Sequence, residues 1–421
     1  MSDSYSARDL SDYHRFRRLF CRKTELGAGG DGTVYEYEHR RTKKLIAVKV
    51  PNNDHVTAAK TSVCLAGEVS NLRILGKHPH IVTMLGCCDD FKPRGPAVML
   101  ELCELGDLHS FMDKLSAQQL RRGSKTCRVP ENTIWKFLRD MGLAIDVLHN
   151  HNIAHGSGYL HRDLKPGNIL VKYPDGWATE DGVPVEPTFQ LSDFSRMKPY
   201  PRPWSWLSET TPMTCDGSSN SSSGSAAQTK EDEDEDAVFC GTPEYAPPLH
   251  EQREAKPSGD LWSLGATLQT LALDAYPIQS HESFIAERNK AHRDHPQLAD
   301  KLEWTQLEWR TSLPTVYRPL SASCAELQET HDFRDSIRNP RRGVYEDRRP
   351  YSDALNAWYS ALWNKSESER ITAAMLVRYQ VPGAEAEMAI ARDMEAAELC
   401  LDEARRIREN VAMRRSGLGR R

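Results

Sequence analysis

Between residues 20 and 50 apolar and polar side chains alternate as they do along strands, in Thr33-Val34-Tyr35-Glu36-Tyr37-Glu38 and in Leu45-Ile46-Ala47-Val48-Lys49-Val50, with a glycine cluster ahead of them. A helix is expected from about Ala58 to Leu75, ended by Pro79, and Ile81 to Leu85 and Ala97 to Leu102 read as further strands. From residue 107 onward the period becomes that of helices. Ile134, Phe137, Leu138, Met141, Ile145 and Leu148 mark one face, while the stretch holding Leu261, Leu264, Leu268 and Leu271 is apolar nearly all round, the pattern of a buried helix. Strands first and helices later predict an α+β chain of two lobes joined near Glu101 to Gly106.

Two stretches interrupt the pattern. Residues 198–237 run through Pro199, Pro201 and Pro203, a Ser/Gly tract and an acidic run, Glu231 to Asp236, and low hydrophobicity with like charge predicts disorder there. Residues 276–350 are polar, Arg-rich near their end and weakly periodic, an insertion without a structural assignment. After Pro382-Gly383, the residues Ile390, Met394, Ala397, Leu401 and Ala404 step by four and three, which predicts a short amphipathic helix for docking on the large lobe or for self-association. The division expected is thus an N-terminal extension 1–19, a main unit 20–380 with lobes 20–101 and 107–380, and a helical, basic tail 381–421.

Composition narrows the classes. The 421 residues carry 55 Lys+Arg and 60 Asp+Glu, a formal charge of −5, with 39% hydrophobic and 27% charged side chains. Without the acidic run the rest is close to neutral, so no global basic field points to nucleic acid. The first residues are polar and then basic, unlike a signal peptide, and no apolar run approaches the roughly 20 residues of a membrane span. The ten cysteines show no paired C-x-x-C framework. Reduced thiols and a cytoplasmic or nuclear location are expected.

Gly27-Ala28-Gly29-Gly30-Asp31-Gly32-Thr33-Val34 is a G-x-G-x-x-G-x-V pattern between strands. Glycines let backbone amides approach phosphates, although a glycine-rich hairpin often has no function. Lys49 ends Ile46-Ala47-Val48-Lys49 one hairpin later, where an ammonium can reach nucleotide phosphates. A buried lysine needs an anion, and Glu68, on the helical face of Leu72 and Leu75, is its natural partner. Either residue alone would read as a solvated charge.

His161-Arg162-Asp163-Leu164-Lys165-Pro166-Gly167-Asn168-Ile169-Leu170 matches H-R-D-L-K-P-x-N throughout. With it, residues 20–380 resemble the eukaryotic protein kinases of the Ser/Thr branch. The resemblance implies a bilobal fold with ATP and Mg2+ between the lobes and protein Ser/Thr hydroxyls as acceptors. It makes Asp163 the catalytic base, Lys165 the contact to the transferring phosphate, and Asn168 and Asp193 the metal ligands, roles suited to a reaction that needs positioning and charge neutralisation. Thr242, in Gly241-Thr242-Pro243-Glu244-Tyr245, would bond Asp163 and Lys165. Gly27, Gly29, Gly32, Lys49 and Glu68 would serve the phosphates. Val34, Ala47 and Leu170 would sandwich adenine, Leu100 would gate the pocket, Glu101 to Cys103 would offer backbone groups to the base, and Asp107 would reach the ribose. Leu72, Met84, His161 and Phe194 would stack between the lobes, though core packing explains such apolar residues equally well. Asp260 would hold the catalytic loop or merely cap a helix.

The chain departs from the family pattern at four places. Asp193-Phe194-Ser195 stands where the family has D-F-G, so the metal ligand survives while the flip of Phe194 should be restricted. Ala246-Pro247-Pro248-Leu249 lacks the A-P-E glutamate, and since an unpaired buried Arg370 would cost about 3–5 kcal/mol, a substitute carboxylate is expected, with Glu251 the candidate. Extra residues including Gly156-Ser157-Gly158 precede His161. The segment from Asp193 to Pro248 is far longer than an ordinary loop. Val238 replaces its usual phosphorylated residue, and Glu235 or Asp236 could supply Arg162 with an anion instead. Arg414-Arg415-Ser416 is a conceivable self-phosphorylation site. A scaffold of pseudokinase type is the alternative, kept open by Ser195 and Pro248. A small-molecule kinase is disfavoured by the protein-substrate platform that Gly241 to Tyr245 resembles.

Overall fold

The computed structural model describes residues 5–52, 58–123, 127–150, 157–178, 182–201, 241–248, 250–279, 315–331, 333–338 and 349–393. Two short helices, α1 (Ala7–Ser11) and α2 (Tyr13–Leu19), precede strands β1 (Phe20–Gly29), β2 (Gly32–His39) and β3 (Leu45–Val50), helix α3 (Ala58–Leu75), and strands β4 (Met84–Cys88) and β5 (Ala97–Glu101). The five strands form one antiparallel sheet in the order β1-β2-β3-β5-β4.

The period-two alternation read from the sequence decides which face each side chain joins. Ile46 and Val48 of β3 and Ala97 and Met99 of β5 enter one apolar cluster, whereas Ala47, Val98 and Leu100 enter another with Leu65, Val69 and Leu72 of α3. Lys49 continues the α3 side. The first cluster is closed by Leu10, Phe16, Phe20 and Phe91, with the Phe16 and Phe20 rings stacked at 4.8 Å. Residues 5–19, expected as an extension, are therefore the outer layer of the small lobe, because the sheet's second apolar face needs a cover. Gly86 is required beneath them, since a Cβ there would lie 2.8 Å from Leu10 Cβ.

The connection passes through β6 (Gly106–Asp107) into α4 (Leu108–Arg121) and α5 (Glu131–Asn150). All six apolar positions predicted for α5 are buried. Strand β7 (Ser157–Leu160) follows, then β8 (Ile169–Lys172), β9 (Thr188–Leu191) and β10 (Lys198–Pro201). β6, β8 and β9 make a three-stranded sheet, and β7 pairs with β10. Helix α6 (Pro257–Leu273) is buried from Gly259 to Leu273, as a stretch apolar nearly all round predicts.

Three expectations change. Residues 198–201, assigned to a disordered stretch from their prolines, form β10, because β7 offers them a ladder in the register Lys198–Leu160 to Pro201–Ser157; residues 202–237 lie outside the described residues. The insertion 276–350 packs in part on α6. Arg318 is fully buried, its N–H donating to Gln269 Oε1 at 2.9 Å and its guanidinium to the Tyr276 and Ile278 carbonyls at 2.8 and 3.0 Å. Helices α7 (Cys324–His331) and α8 (Phe333–Ser336) follow it.

Finally, the boundary at 380/381 falls inside helix. After α9 (Asp353–Ala361) and α10 (Ala373–Met375), a π-turn at Leu376–Gln380 leads straight into helical residues 381–393. Pro382 sits just past the π-turn. There Ala384 and Met388 are buried while Ile390 is 53% exposed. The rest of the predicted apolar stripe, from Met394, lies outside the described residues.

Candidate active site

Lys49 reaches from β3 to α3, its Nζ 2.8 Å from Glu68 Oε2 and 3.0 Å from Asp193 Oδ1. Burial disfavours the ammonium, but two carboxylates outweigh it and hold its pKa above the usual lysine value. Burial, with the Asp193 and Asp31 charges adding to it, draws the Glu68 carboxyl upward against the pull of Lys49. We assign the charged pair at neutral pH, because the cation is answered from two sides. Asp193 is half-buried, and although burial opposes its ionisation, the Lys49 ammonium brings its carboxyl down to about 2.

The residues of the loop from His161 to Asn168 converge, with Thr242, on Asp163. Its Oδ1 accepts from Thr242 Oγ1 at 2.7 Å and from Thr242 N–H at 2.9 Å, and its Oδ2 accepts from Lys165 Nζ at 2.9 Å and Asn168 Nδ2 at 3.2 Å. Lys165 also donates to Thr242 Oγ1 at 2.8 Å. Burial opposes ionisation of Asp163, yet the Lys165 charge and these donors hold its carboxyl below the usual value. Asn168 spends its amide nitrogen on Asp163, which leaves its carbonyl oxygen as a ligand.

The loop is held from behind. Asp260 accepts from His161 N–H and Arg162 N–H at 2.8 and 2.9 Å, and lies 3.0 Å from His149 Nε2. A helix cap is therefore not its whole role. His161 Nδ1 accepts from Asp163 N–H at 3.3 Å, so Nε2 donates to the Ser192 carbonyl at 3.0 Å. The His161 and Phe194 rings meet edge-on at 5.2 Å, and Leu72 and Phe194 share one cluster against which Met84 packs.

The glycine hairpin closes with Gly27 opposite Val34 and Gly29 opposite Gly32. Gly32 alone of these has a φ of +136°, and a Cβ there would sit 2.6 Å from the Val50 carbonyl oxygen. Around Gly27 and Gly29 there is open space. Ala47 and Leu100 are buried in the main apolar cluster, and Val34 and Leu170, half-buried, pack against it.

Two expected nucleotide contacts are altered. Glu101 gives its N–H to the Thr83 carbonyl at 2.9 Å, so it has no amide donor left for a base, and its side chain accepts from Thr83 N–H, Gln190 and Lys172. Asp107 accepts from Ser110 N–H at 2.7 Å as the cap of α4, which leaves one carboxylate oxygen for a ribose. The Cys103 thiol is buried against Gln190 Oε1 at 3.2 Å, so only its backbone can serve.

Ser195 sits in a single helical turn, Phe194–Arg196, and the positive φ falls on Asp193 at 60° and on Arg162 at 69°. The glycine's freedom is not used here. Arg370, expected to need a new carboxylate, has Glu251: Nη1–Oε2 is 2.7 Å and Nη2–Oε1 is 2.8 Å. Glu235, Asp236, Val238 and Arg414 to Ser416 lie outside the described residues. Sequence reasoning missed Asn71, which donates to the Phe194 carbonyl at 2.7 Å, and Arg196, 3.9 Å from Asp163 Oδ2. Asn71 stands three residues after Glu68, on its helical face, and that spacing was the available signal.

Residues 20–203 match the protein kinase domain family. The match is confined to those residues, less than half of the chain. It is 25% identical over 311 residues to the serine/threonine-protein kinase ATG1 of Colletotrichum lindemuthianum, covering 67% of this chain and 38% of that protein. The Komagataella pastoris ATG1 is 26% identical over 63% of this chain and 31% of its own length, and that of Chaetomium globosum 28% identical over 61% and 26%. The chain thus spans about a third of the length of the relatives it matches. Among the described residues no helix is long and apolar enough to cross a membrane.

Proposed function

We propose that the protein is an ATP-dependent serine/threonine kinase acting on protein hydroxyls. The observation that carries this reading is the closed cluster of Asp163, Lys165 and Thr242, with Thr242 Oγ1 2.7 Å from Asp163 and 2.8 Å from Lys165 Nζ, together with a Lys49–Glu68 pair whose lysine also bonds Asp193. A scaffold needs no such convergence.

Asp163, ionised and fixed by donors on both oxygens, orients the acceptor hydroxyl and takes its proton as the oxygen attacks. Lys165 places a cation beside the group in transfer, and Thr242 holds Lys165 and Asp163 at a set spacing. Lys49 anchors the α- and β-phosphates and is itself positioned by Glu68. Asp193, kept as a carboxylate, and the Asn168 carbonyl oxygen are a hard-oxygen pair that fits magnesium, which takes few protein ligands beside phosphates. When bound there, the metal would neutralise charge on the β- and γ-phosphates. Val34, Ala47, Leu100 and Leu170 supply apolar walls for a purine.

The relatives named serine/threonine-protein kinases and Lys165 both favour alcohol side chains as acceptors. The test is transfer of labelled γ-phosphate from Mg-ATP to a peptide array by the natural protein beside Asp163→Asn. Label on Ser and Thr peptides, lost in the variant, is the expected result. Absence of transfer by the natural protein on every peptide would leave the docking-platform reading instead.

A further inference from the structure

Two segments distant in sequence bring four arginines to one edge of the small lobe. Arg17 and Arg18 occupy the last turn of α2, and Arg40 and Arg41 begin the turn from β2 to β3. The Arg40 N–H donates to the Leu19 carbonyl at 2.8 Å and Phe20 pairs with His39, so helix end and turn adjoin. All four side chains are exposed, and none has an ion pair or side-chain hydrogen bond among the described residues. The nearby Lys43 and Lys23 differ, being answered by Glu38 at 2.9 and 3.3 Å. Burial and then the Arg41 charge hold the His39 imidazole below its usual pKa.

We propose that this edge docks on the phosphate-bearing surface of an anionic lipid bilayer. The cations stand on two projections, a helix end and a turn, so a broad anionic plane can meet all four together. Guanidinium groups engage phosphate oxygens bidentately. Leu45, 36% exposed at the end of the same turn, adds an apolar side chain beside the charges, as interfacial segments do. Nucleic acid fits less well, because the aromatic side chain at hand, Tyr5, is packed against Phe20 at 5.2 Å and His39 at 5.8 Å and has no role left in stacking on bases.

Docking here leaves the cleft accessible. β1 and β2 run from the Phe20–His39 pair at this edge to the Gly29–Gly32 pair at the glycine hairpin. Over the seven steps of β2, at about 3.3 Å per residue, the two ends lie roughly 23 Å apart. The surface would therefore concentrate the protein among membrane-bound acceptors without covering the nucleotide site.

The full chain would be sedimented with vesicles of phosphatidylcholine, with and without phosphatidylserine, at low and high salt. Partition onto the phosphatidylserine vesicles is expected to fall with salt. Each arginine contributes about fivefold near such a surface, so Arg17→Gln, Arg18→Gln, Arg40→Gln and Arg41→Gln together should lower partition at least about 100-fold. Each pair alone should give an intermediate loss, and Arg253→Gln, exposed elsewhere, should give none. Thermal unfolding and peptide phosphorylation should be unchanged. Equal partition of natural and quadruple variant, indifference to phosphatidylserine, or displacement by polyglutamate more readily than by the vesicles would overturn the proposal, the last in favour of an acidic protein partner.

Discussion

Arg370 and Glu251 form a two-pronged ion pair with both side chains almost wholly buried, at 2.7 and 2.8 Å. The guanidinium is completed by the Ser258 and Asn364 carbonyls and lies over the Trp262 ring, 4.8 Å from its centroid. A carboxylate three residues past Pro248 thus does for Arg370 what the absent A-P-E glutamate would have done. The Gly241–Tyr245 turn that precedes it is fixed to α6, where Ser263 Oγ donates to the Tyr245 carbonyl at 2.8 Å.

Removing one member should be far worse than removing both. Glu251→Ala leaves a buried cation alone and should cost about 3–5 kcal/mol, whereas Glu251→Leu combined with Arg370→Met should recover a good part of that loss. Chemical denaturation of the single and double variants measures the coupling. Additive losses would mean that Arg370 is served by its carbonyl partners alone.

Thr242 ties the C-terminal end of the Asp193–Pro248 segment to the loop of Asp163 and Lys165 through three bonds, to Asp163 by hydroxyl and N–H and from Lys165 by the hydroxyl. Thr242→Val keeps the shape and removes the hydroxyl, which leaves an ionised acceptor short of a donor. Losing a hydrogen bond to a charged group is worth about 1.5–3 kcal/mol, so kcat should fall about 10- to 100-fold. Thr242→Ser should retain most activity, and KM for ATP should hardly move, because the residue stands on the acceptor side of the cleft. Steady-state kinetics on one peptide substrate would check both.

The parts of this architecture that were legible in the chain are those where one residue type has one physical use. Lys49 and Glu68 are buried opposite charges and had to meet. The stretch Leu261 to Leu271, apolar nearly all round, had to be covered on every side. Arg370 could not be left without an anion. The illegible parts depend on partners that sequence does not name. Helices α1 and α2 look like a polar leader until the outer face of the sheet, with Ile46, Val48 and Met99, needs a cover. Arg318 reads as a surface charge, yet the carbonyls of Tyr276 and Ile278 admit it to the interior. Glu101 and Asp107 carry the residue types expected of a nucleotide site, while local bonds to Thr83 and Ser110 use part of their capacity.

Replacing Ser195 by glycine should do little. The positive φ that a glycine would serve falls on Asp193, and Asn71 fixes the Phe194 carbonyl. Ser195→Gly mainly frees the unfolded chain, a loss of at most about 1 kcal/mol in stability with kcat within about twofold. Thermal unfolding and turnover of the variant decide it; a large gain in turnover would mean that serine restrains the segment in the natural protein.

Acid should uncover the Asp193 interaction. Its folded pKa, about 2, lies below the unfolded carboxylate value of 3.8. The stability it contributes is therefore complete above the unfolded value and is lost as pH falls toward the folded one. The difference corresponds to about 2 kcal/mol. Urea titrations of the natural protein and of Asp193→Asn should show the gap between them shrinking from pH 5 downward, and a gap independent of pH would detach Asp193 from Lys49.

The extra residues before the catalytic loop have a structural consequence centred on Gly158. In the β7–β10 pair Gly158 faces Tyr200, and Tyr200 Oη donates to the His149 carbonyl at 3.0 Å. A Cβ on Gly158 would lie 2.1 Å from that same carbonyl oxygen and 2.7 Å from the Tyr200 ring. Backbone on one side and a ring on the other cannot both yield, so Gly158→Ala should separate β7 from α5 and cost about 1–3 kcal/mol. His149 also holds Asp260, and through it the backbone of His161 and Arg162. The separation should thus reach turnover as well as stability. Tyr200→Phe removes only the hydroxyl and should cost about 1 kcal/mol, with a smaller drop in kcat. Denaturation and kinetics of the two variants side by side test the linkage, and an unaltered kcat in Gly158→Ala would show that the strand pair and the catalytic loop are independent.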